Sequence, residues 1–278
     1  MSNKLGEGQV RKMVTRHGET VEYELPLGEE TVAMNPLLGQ SVSLEFSGLI
    51  NCVHCGRKTN KSFNQGYCYP CFTRLAQCDS CIVSPEKCHY DAGTCREPEW
   101  GEANCMIDHI VYLANTSGVK VGITRNTQVP TRWMDQGAVE ALPIFRVQTR
   151  QQSGLVETLY KDHINDRTNW QAMLKGQSAD LELAAERDRL QALVEPGIAE
   201  LRERFGLQSV TVLEDQDTFA FNYPVLNYPA KVKSHNADKT PLVEGNLQGI
   251  KGQYLIFDTG VINMRKYGGY RLSLSQGS

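Results

Sequence analysis

The chain has 278 residues, 40% of them hydrophobic and 22% charged, with a formal net charge of −3. This is ordinary globular composition, long enough for about two domains, and it excludes a collagen, a coiled coil and wholesale disorder. No stretch approaches the ~18 consecutive apolar residues of a membrane span, and the polar opening from Met1 to Lys12 lacks the apolar core of a secretory signal, so a cytoplasmic protein without a membrane partner is expected.

In chain order, residues 1–50 predict short strands: Val21-Glu22-Tyr23-Glu24-Leu25 and Val42-Ser43-Leu44-Glu45-Phe46 both alternate apolar with polar. Residues 51–108 are rich in cysteine, glycine and proline, have poor periodicity and need a staple to fold. Residues 109–175 change character. Ile110–Ala114 and Val119–Thr124, separated by the turn Asn115-Thr116-Ser117-Gly118, predict a hairpin. Pro130 then opens a short helix, Leu142–Thr149 is a third strand, and Ser153 is the expected cap of a helix running to about Asn165, giving the order ββαβα. Residues 176–218 predict a pair of helices divided at Pro196 and stopped at Gly206. Residues 219–278 begin as a proline-containing connector and return to strands, with Tyr254–Phe257 and Val261–Met264 flanking a turn. Neither terminal strand block is large enough to stand alone, so residues 1–50 and 219–278 are expected to pair in one small β-barrel or sheet. The expected class is α+β.

Nine cysteines stand out, eight of them between Cys52 and Cys95 with Cys105 beyond. In a reducing compartment such clustering favours metal over disulfides. Cys52-x2-Cys55, twelve residues, then Cys68-x2-Cys71 is the spacing of a zinc ribbon, in which each turn grips a tetrahedral ion with two thiolates. Cys78, Cys81, Cys88 and Cys95 make a second, less regular four-thiolate set. There His89 or Cys105 could replace a ligand, a cross-braced pairing is open, and an iron–sulfur cluster is the rival to zinc. Two closed sites imply two structural Zn²⁺ ions rather than a catalytic one. Cys105 itself reads most simply as a small buried residue.

The charge is unevenly spread: residues 109–175 carry eight basic against five acidic side chains, residues 219–278 seven against three, and the helical segment between them four against ten. A protein of this net charge needs a local basic patch to bind nucleic acid. The candidates are Arg125, Arg146 and Arg150 in the first basic block, Trp133 as a stacking side chain beside them, and Lys251, Arg265 and Lys266 among the glycines and tyrosines of the second.

Val111-Tyr112-Leu113, a short turn, then Lys120-Val121-Gly122-Ile123-Thr124, followed by Arg132-Trp133 on the next helix and Glu157 on a later one, resembles the GIY-YIG nuclease superfamily, most closely its compact branch. The resemblance covers about residues 109–175, and the whole chain also looks like an uncharacterised bacterial family that joins a cysteine-rich zinc-ribbon segment to such a domain. It implies a phosphodiester-cutting endonuclease in which Tyr112 helps activate water, Arg132 stabilises the phosphate and Glu157 holds a divalent ion, Mg²⁺ or Mn²⁺. Two positions depart from the family pattern: Ile110 replaces the first glycine, and Lys120 replaces the second tyrosine, where it could bind phosphate or tune Tyr112. The family's last asparagine has Asn165 and Asn169 as candidates. The expected partner is therefore DNA or RNA. Two alternatives stay open: a binding platform for structured RNA, such as tRNA or rRNA, that does not cut, and a zinc-ribbon adaptor for a protein partner.

Overall fold

The computed structural model describes residues 3–164 and 167–277. The chain opens with β1 (Asn3–Gln9), β2 (Val14–Arg16), β3 (Glu22–Leu27), β4 (Glu30–Ala33), β5 (Ser41–Ile50) and a short helix, α1 (Tyr69–Arg74). Its middle carries α2 (Pro98–Asn104), β6 (His109–Asn115), β7 (Val119–Arg125), α3 (Thr131–Asp135), β8 (Glu140–Val147), α4 (Arg150–Lys161), α5 (Trp170–Leu174) and α6 (Leu183–Phe205). Then come β9 (Val210–Val212), β10 (Phe219–Ala220), β11 (Leu242–Lys251), β12 (Tyr254–Phe257), β13 (Gly260–Asn263) and β14 (Tyr270–Gln276). The class is mixed α+β. Among the described residues no helix is long and apolar enough to cross a membrane.

The chain divides into two compact units, one of residues 1–73, 174–176 and 221–278, the other of residues 74–173 and 177–220. The division at residue 73 falls between the two cysteine sets. In the first unit a six-stranded sheet has the order β1-β14-β5-β11-β12-β13, and β2, β3 and β4 form a second, three-stranded sheet. The terminal strand blocks thus pair as expected, with Leu44 of β5 opposite Val243 of β11 on one side and Leu274 of β14 on the other. The alternation seen in the sequence explains the register, since Val42, Leu44 and Phe46 are buried while Glu45 and Ser47 are exposed.

The second unit is built on an antiparallel sheet of order β10-β8-β6-β7, with β9 also paired to β8. Val111, Leu113 and Val121 face a core completed by Val156 and Tyr160 of α4 and by Leu190, Val194 and Ile198 of α6. Two sequence expectations are corrected here. Residues 183–205 form one helix rather than a pair, with Pro196 inside it. The hydrogen bond that proline cannot donate would fall on the Ala192 carbonyl, and both residues lie on the exposed side. The buried stripe Leu190, Val194, Ile198 meanwhile continues at four-residue spacing. The cap of α4 is Thr149, not Ser153. Thr149 and Gln152 form a capping box, while the Ser153 hydroxyl donates back to the Arg150 carbonyl at 2.7 Å.

Candidate functional site

Cys52, Cys55, Cys68 and Cys71 bring their four sulfurs within 4.8 Å of one another. Cys52 and Cys55 lie on a turn closed by the Gly56 N–H donating to the Cys52 carbonyl at 2.9 Å, and Cys71 is the third residue of α1. The two turns can approach because residue 66 has no side chain: a Cβ at Gly66 would sit 2.6 Å from Val53 Cγ1. Cys55 Sγ and Cys68 Sγ are 3.7 Å apart. That matches the edge of a tetrahedron whose metal–sulfur bonds are ~2.3 Å, which is ~3.8 Å. Burial raises the Cys52 thiol, but N–H donors at Cys55, Cys68 and His54 outweigh it and bring the group down to about 6. Cys71 is pushed up to about 12 by burial and then by the neighbouring sulfurs. The four residues could hold a metal ion such as zinc.

The second set does not assemble as four. Cys81, Cys88 and Cys95 line one cavity, and the fourth cysteine on its wall is Cys105. Cys78 is buried but is not part of that lining. The tightest group of metal-capable atoms there is Asp79, Cys81 and His89. Asp79 is already paired with Arg96 at 2.7 Å, which together with the Ser80 N–H holds its carboxyl below the usual range despite burial.

In the same unit Arg132 and Glu157 both act electrostatically on Tyr112. Tyr112 projects from β6 across β7, the edge strand, at Gly122, which stands directly opposite it in register. A Cβ on residue 122 would lie 2.6 Å from the Tyr112 hydroxyl, so glycine is what lets the ring cross. The groups acting most strongly on that hydroxyl are Arg132 and Gln136 of the α3 segment and Glu157 of α4, with Lys120 outside them. Arg132 and Gln136 are four residues apart and share a helical face. Glu157 lies in the third turn of α4, where the charge of the helix N-terminus is no longer felt; it is mostly buried and pairs with Lys161 at 3.2 Å. No well-formed hydrogen bond closes on the buried Tyr112 hydroxyl, although the Arg132 and Gln136 side chains stand beside it as hydrogen-bonding neighbours, and Gln136 Oε1 is buried without a donor. Burial moves the tyrosine upward in pKa, opposed by Arg132 and Gln136, which is the reverse of what a general base needs. Gln136 escaped the sequence reading, and the four-residue step from Arg132 was its signal.

A family model described as "Protein of unknown function (DUF2797)" matches residues 39–272. The chain belongs to this family. The matched span includes both cysteine sets and the whole ββαβα segment. No curated protein and no solved structure matches the chain.

The other candidates of this DUF2797 member are scattered in their environments. Trp133 is fully buried between Tyr112 and Phe219, with ring centroids 5.6 and 4.9 Å away, so it packs the core rather than presenting a face to a base. Lys251 is likewise buried, its ammonium over the rings of Tyr223 and Tyr228. Desolvation lowers it to about 8, and it presents no charge at the surface for a phosphate. Arg125 donates to Asn104 Oδ1, Arg146 is exposed, and Arg150 reaches the Ile82 carbonyl at 2.6 Å. Arg265 donates to Gln65 at 2.5 Å, and Lys266 is exposed over Tyr267. Lys120 is buried on the same sheet face as Gly122, two residues along. Asn169 caps α5 by accepting from the Ala172 N–H at 3.2 Å, while Asn165 lies outside the described residues.

Proposed function

We propose that this protein is a zinc-containing, nucleic-acid-binding protein whose ββαβα segment works as a GIY-YIG-like, divalent-metal-dependent phosphodiesterase. One observation carries the reading: the buried Tyr112 hydroxyl has one guanidinium and one amide as hydrogen-bonding neighbours and one carboxylate acting on it, and Gln136 Oε1 is buried without a donor. Leaving a buried polar atom unpaired costs ~1–3 kcal/mol; a bound phosphate would accept from the Tyr112 hydroxyl, and the water of a bound ion would donate to Gln136 Oε1. The order ββαβα and the family resemblance of Tyr112, Gly122, Arg132 and Glu157 support the same assignment.

The roles follow from the chemistry of the side chains. Arg132 answers the negative charge that gathers on the phosphate oxygens in the transition state. Glu157 supplies the hard oxygen ligand that Mg²⁺ or Mn²⁺ prefers, and that ion would supply charge neutralisation and an acidified water. Tyr112, held protonated by its burial, donates a hydrogen bond rather than taking a proton. Zinc at Cys52, Cys55, Cys68 and Cys71 is closed and structural, since no position is left for water.

The test is cleavage of branched, single-stranded and RNA substrates with Mg²⁺ or Mn²⁺. Glu157→Gln and Arg132→Gln should each lower cleavage by ~100-fold or more. Cleavage unchanged by Glu157→Gln would remove the metal role, and no cleavage of any substrate in either metal would remove the enzyme. A second reading, a platform that binds structured RNA without cutting it, is favoured by the complete burial of the Tyr112 ring. Binding that weakens steeply with salt, with no turnover, selects it.

A further inference from the structure

We propose that Cys81, Cys88, Cys95 and Cys105 form a second thiolate metal centre that holds an iron–sulfur cluster, with Arg150 as its buried counter-cation. The ligand set differs from the one the spacing suggests, because Cys105 takes the place of Cys78.

The four cysteines share one cavity, and apolar Ile82 and Trp100 form part of its remaining wall. Their spread separates the possible metals. A single tetrahedral zinc draws four sulfurs to ~3.8 Å of one another, and the Cys52 set meets that spacing. Among the described residues, Cys81, Cys88, Cys95 and Cys105 do not fall within 4.8 Å of one another. A four-iron, four-sulfide core is larger, each of its irons takes one thiolate, and the ligands stand correspondingly farther apart.

Arg150 is the second, independent observation. It is the first residue of α4, its side chain is largely buried, and it acts electrostatically on both Cys81 and Cys105. Its backbone N–H donates to the Cys105 carbonyl at 2.8 Å and its Nη2 to the Ile82 carbonyl at 2.6 Å. Its Nε is buried with no partner, and among the described residues no carboxylate pairs with it. A guanidinium taken out of water without an anion is strongly unfavourable. Four thiolates on a cluster are anionic overall and supply the missing partner, with Nε free to donate to sulfur. The start of α4 also fixes the loop that bears the ligands. Gln151 donates to the Cys88 carbonyl at 3.0 Å, and a Cβ at Gly154 would lie 2.6 Å from the Glu86 nitrogen, so the helix packs directly on the turn before Cys88.

The experiment uses the full chain, incubated without oxygen with a ferric salt, inorganic sulfide and excess dithiothreitol. Each ligating thiol loses one proton to solvent, and the dithiol supplies the electrons. The expected product contains iron and acid-labile sulfide in equal amounts, absorbs in the visible, and keeps ~one zinc at the Cys52 site. Cys105→Ser and Cys88→Ser should lose the iron and the colour but keep the zinc, which shows that the chain still folds. Cys78→Ser should keep both. Arg150→Gln should lower the reduction potential of the cluster, because a positive charge beside it is gone, and Arg150→Lys should recover most of the loss. Two zincs per chain with no uptake of iron or sulfide would overturn the cluster. Loss of iron in Cys78→Ser but not in Cys105→Ser would overturn the ligand assignment.

Discussion

His109 makes the second unit acid-sensitive in a way that can be isolated. It is fully buried in β6, its Nδ1–H donates to the Ile107 carbonyl at 2.7 Å, and its Nε2 is buried without a partner. Burial dominates; the Ile107 hydrogen bond opposes it, and Arg150 and Arg125 add to it, so the imidazole falls from 6.5 to about 4. A base whose pKa is depressed by folding binds its proton first in the unfolded chain. Stability is therefore complete above about 6.5 and is lost as the pH falls towards 4. From those two values the loss is ~2 kcal/mol at about pH 5 and approaches ~3 kcal/mol at the end of the window. His109→Asn keeps a donor near the Ile107 carbonyl and removes the titration. The assay is urea unfolding followed by tryptophan fluorescence, which reports this unit alone because Trp100, Trp133 and Trp170 all lie in it. The stability gap between wild type and His109→Asn should narrow by ~2 kcal/mol between about pH 7.5 and 5. Thiolate protonation is common to both proteins and cancels. A gap that stays constant across that range would refute the reasoning.

Three further outcomes follow from single contacts. Gly122→Ala places a methyl group 2.6 Å from the Tyr112 hydroxyl and should cost ~1–3 kcal/mol in thermal unfolding read by tryptophan fluorescence. Lys251→Met removes a buried ammonium and should stabilise the first unit at neutral pH by ~2 kcal/mol, the desolvation penalty less the attraction of two tyrosine rings. Because its depressed pKa means that the unfolded chain holds the proton longer, the gain should fade as the pH rises from about 8 to 10.5, as read by hydrogen exchange in β11 and β12. Chelation of the first metal, or Cys55→Ser, should raise hydrogen exchange across residues 52–72 and leave β6 to β8 protected, since those strands belong to the other unit.

Local patterns were readable where local physics decides. Alternation placed β3 and β5, the Asn115–Gly118 turn placed the hairpin of β6 and β7, and the two Cys-x2-Cys turns placed the first metal group, because each depends on neighbours a few residues away. What failed depended on distance. Cys105 reads as an ordinary buried cysteine until the fold sets it on the wall that holds Cys81, Cys88 and Cys95. Trp133 and Lys251 have residue types suited to nucleic acid, and only packing shows that one lies between Tyr112 and Phe219 and the other under Tyr223 and Tyr228. Pro196 obeys its rule by losing a hydrogen bond, yet the helix continues because the apolar stripe on its far side is uninterrupted. The cap of α4 was misplaced by four residues because Ser153 resembles a cap as well as Thr149 does. That shift matters most, since it moves Glu157 out of the first turn and removes the helix dipole as a sufficient reason for a carboxylate there.

The same helix joins the two candidate centres. Arg150 and Glu157 are seven residues apart on α4, two turns along one face. Arg150 acts on Cys81 and Cys105 at its end, Glu157 acts on Tyr112 at the other, and Arg132 acts on both Arg150 and Tyr112. Arg132 and Arg125 both disfavour the charge of the buried Arg150. Anionic thiolates at the cysteine cavity would relieve that repulsion from one side, and a phosphate beside Arg132 would relieve it from the other. On this electrostatic argument the two sites compete for the same positive field. Filling the cavity should weaken the pull on an incoming phosphate while fixing the helix that positions Glu157, so that loaded and unloaded protein should differ in both the strength and the salt slope of nucleic-acid binding.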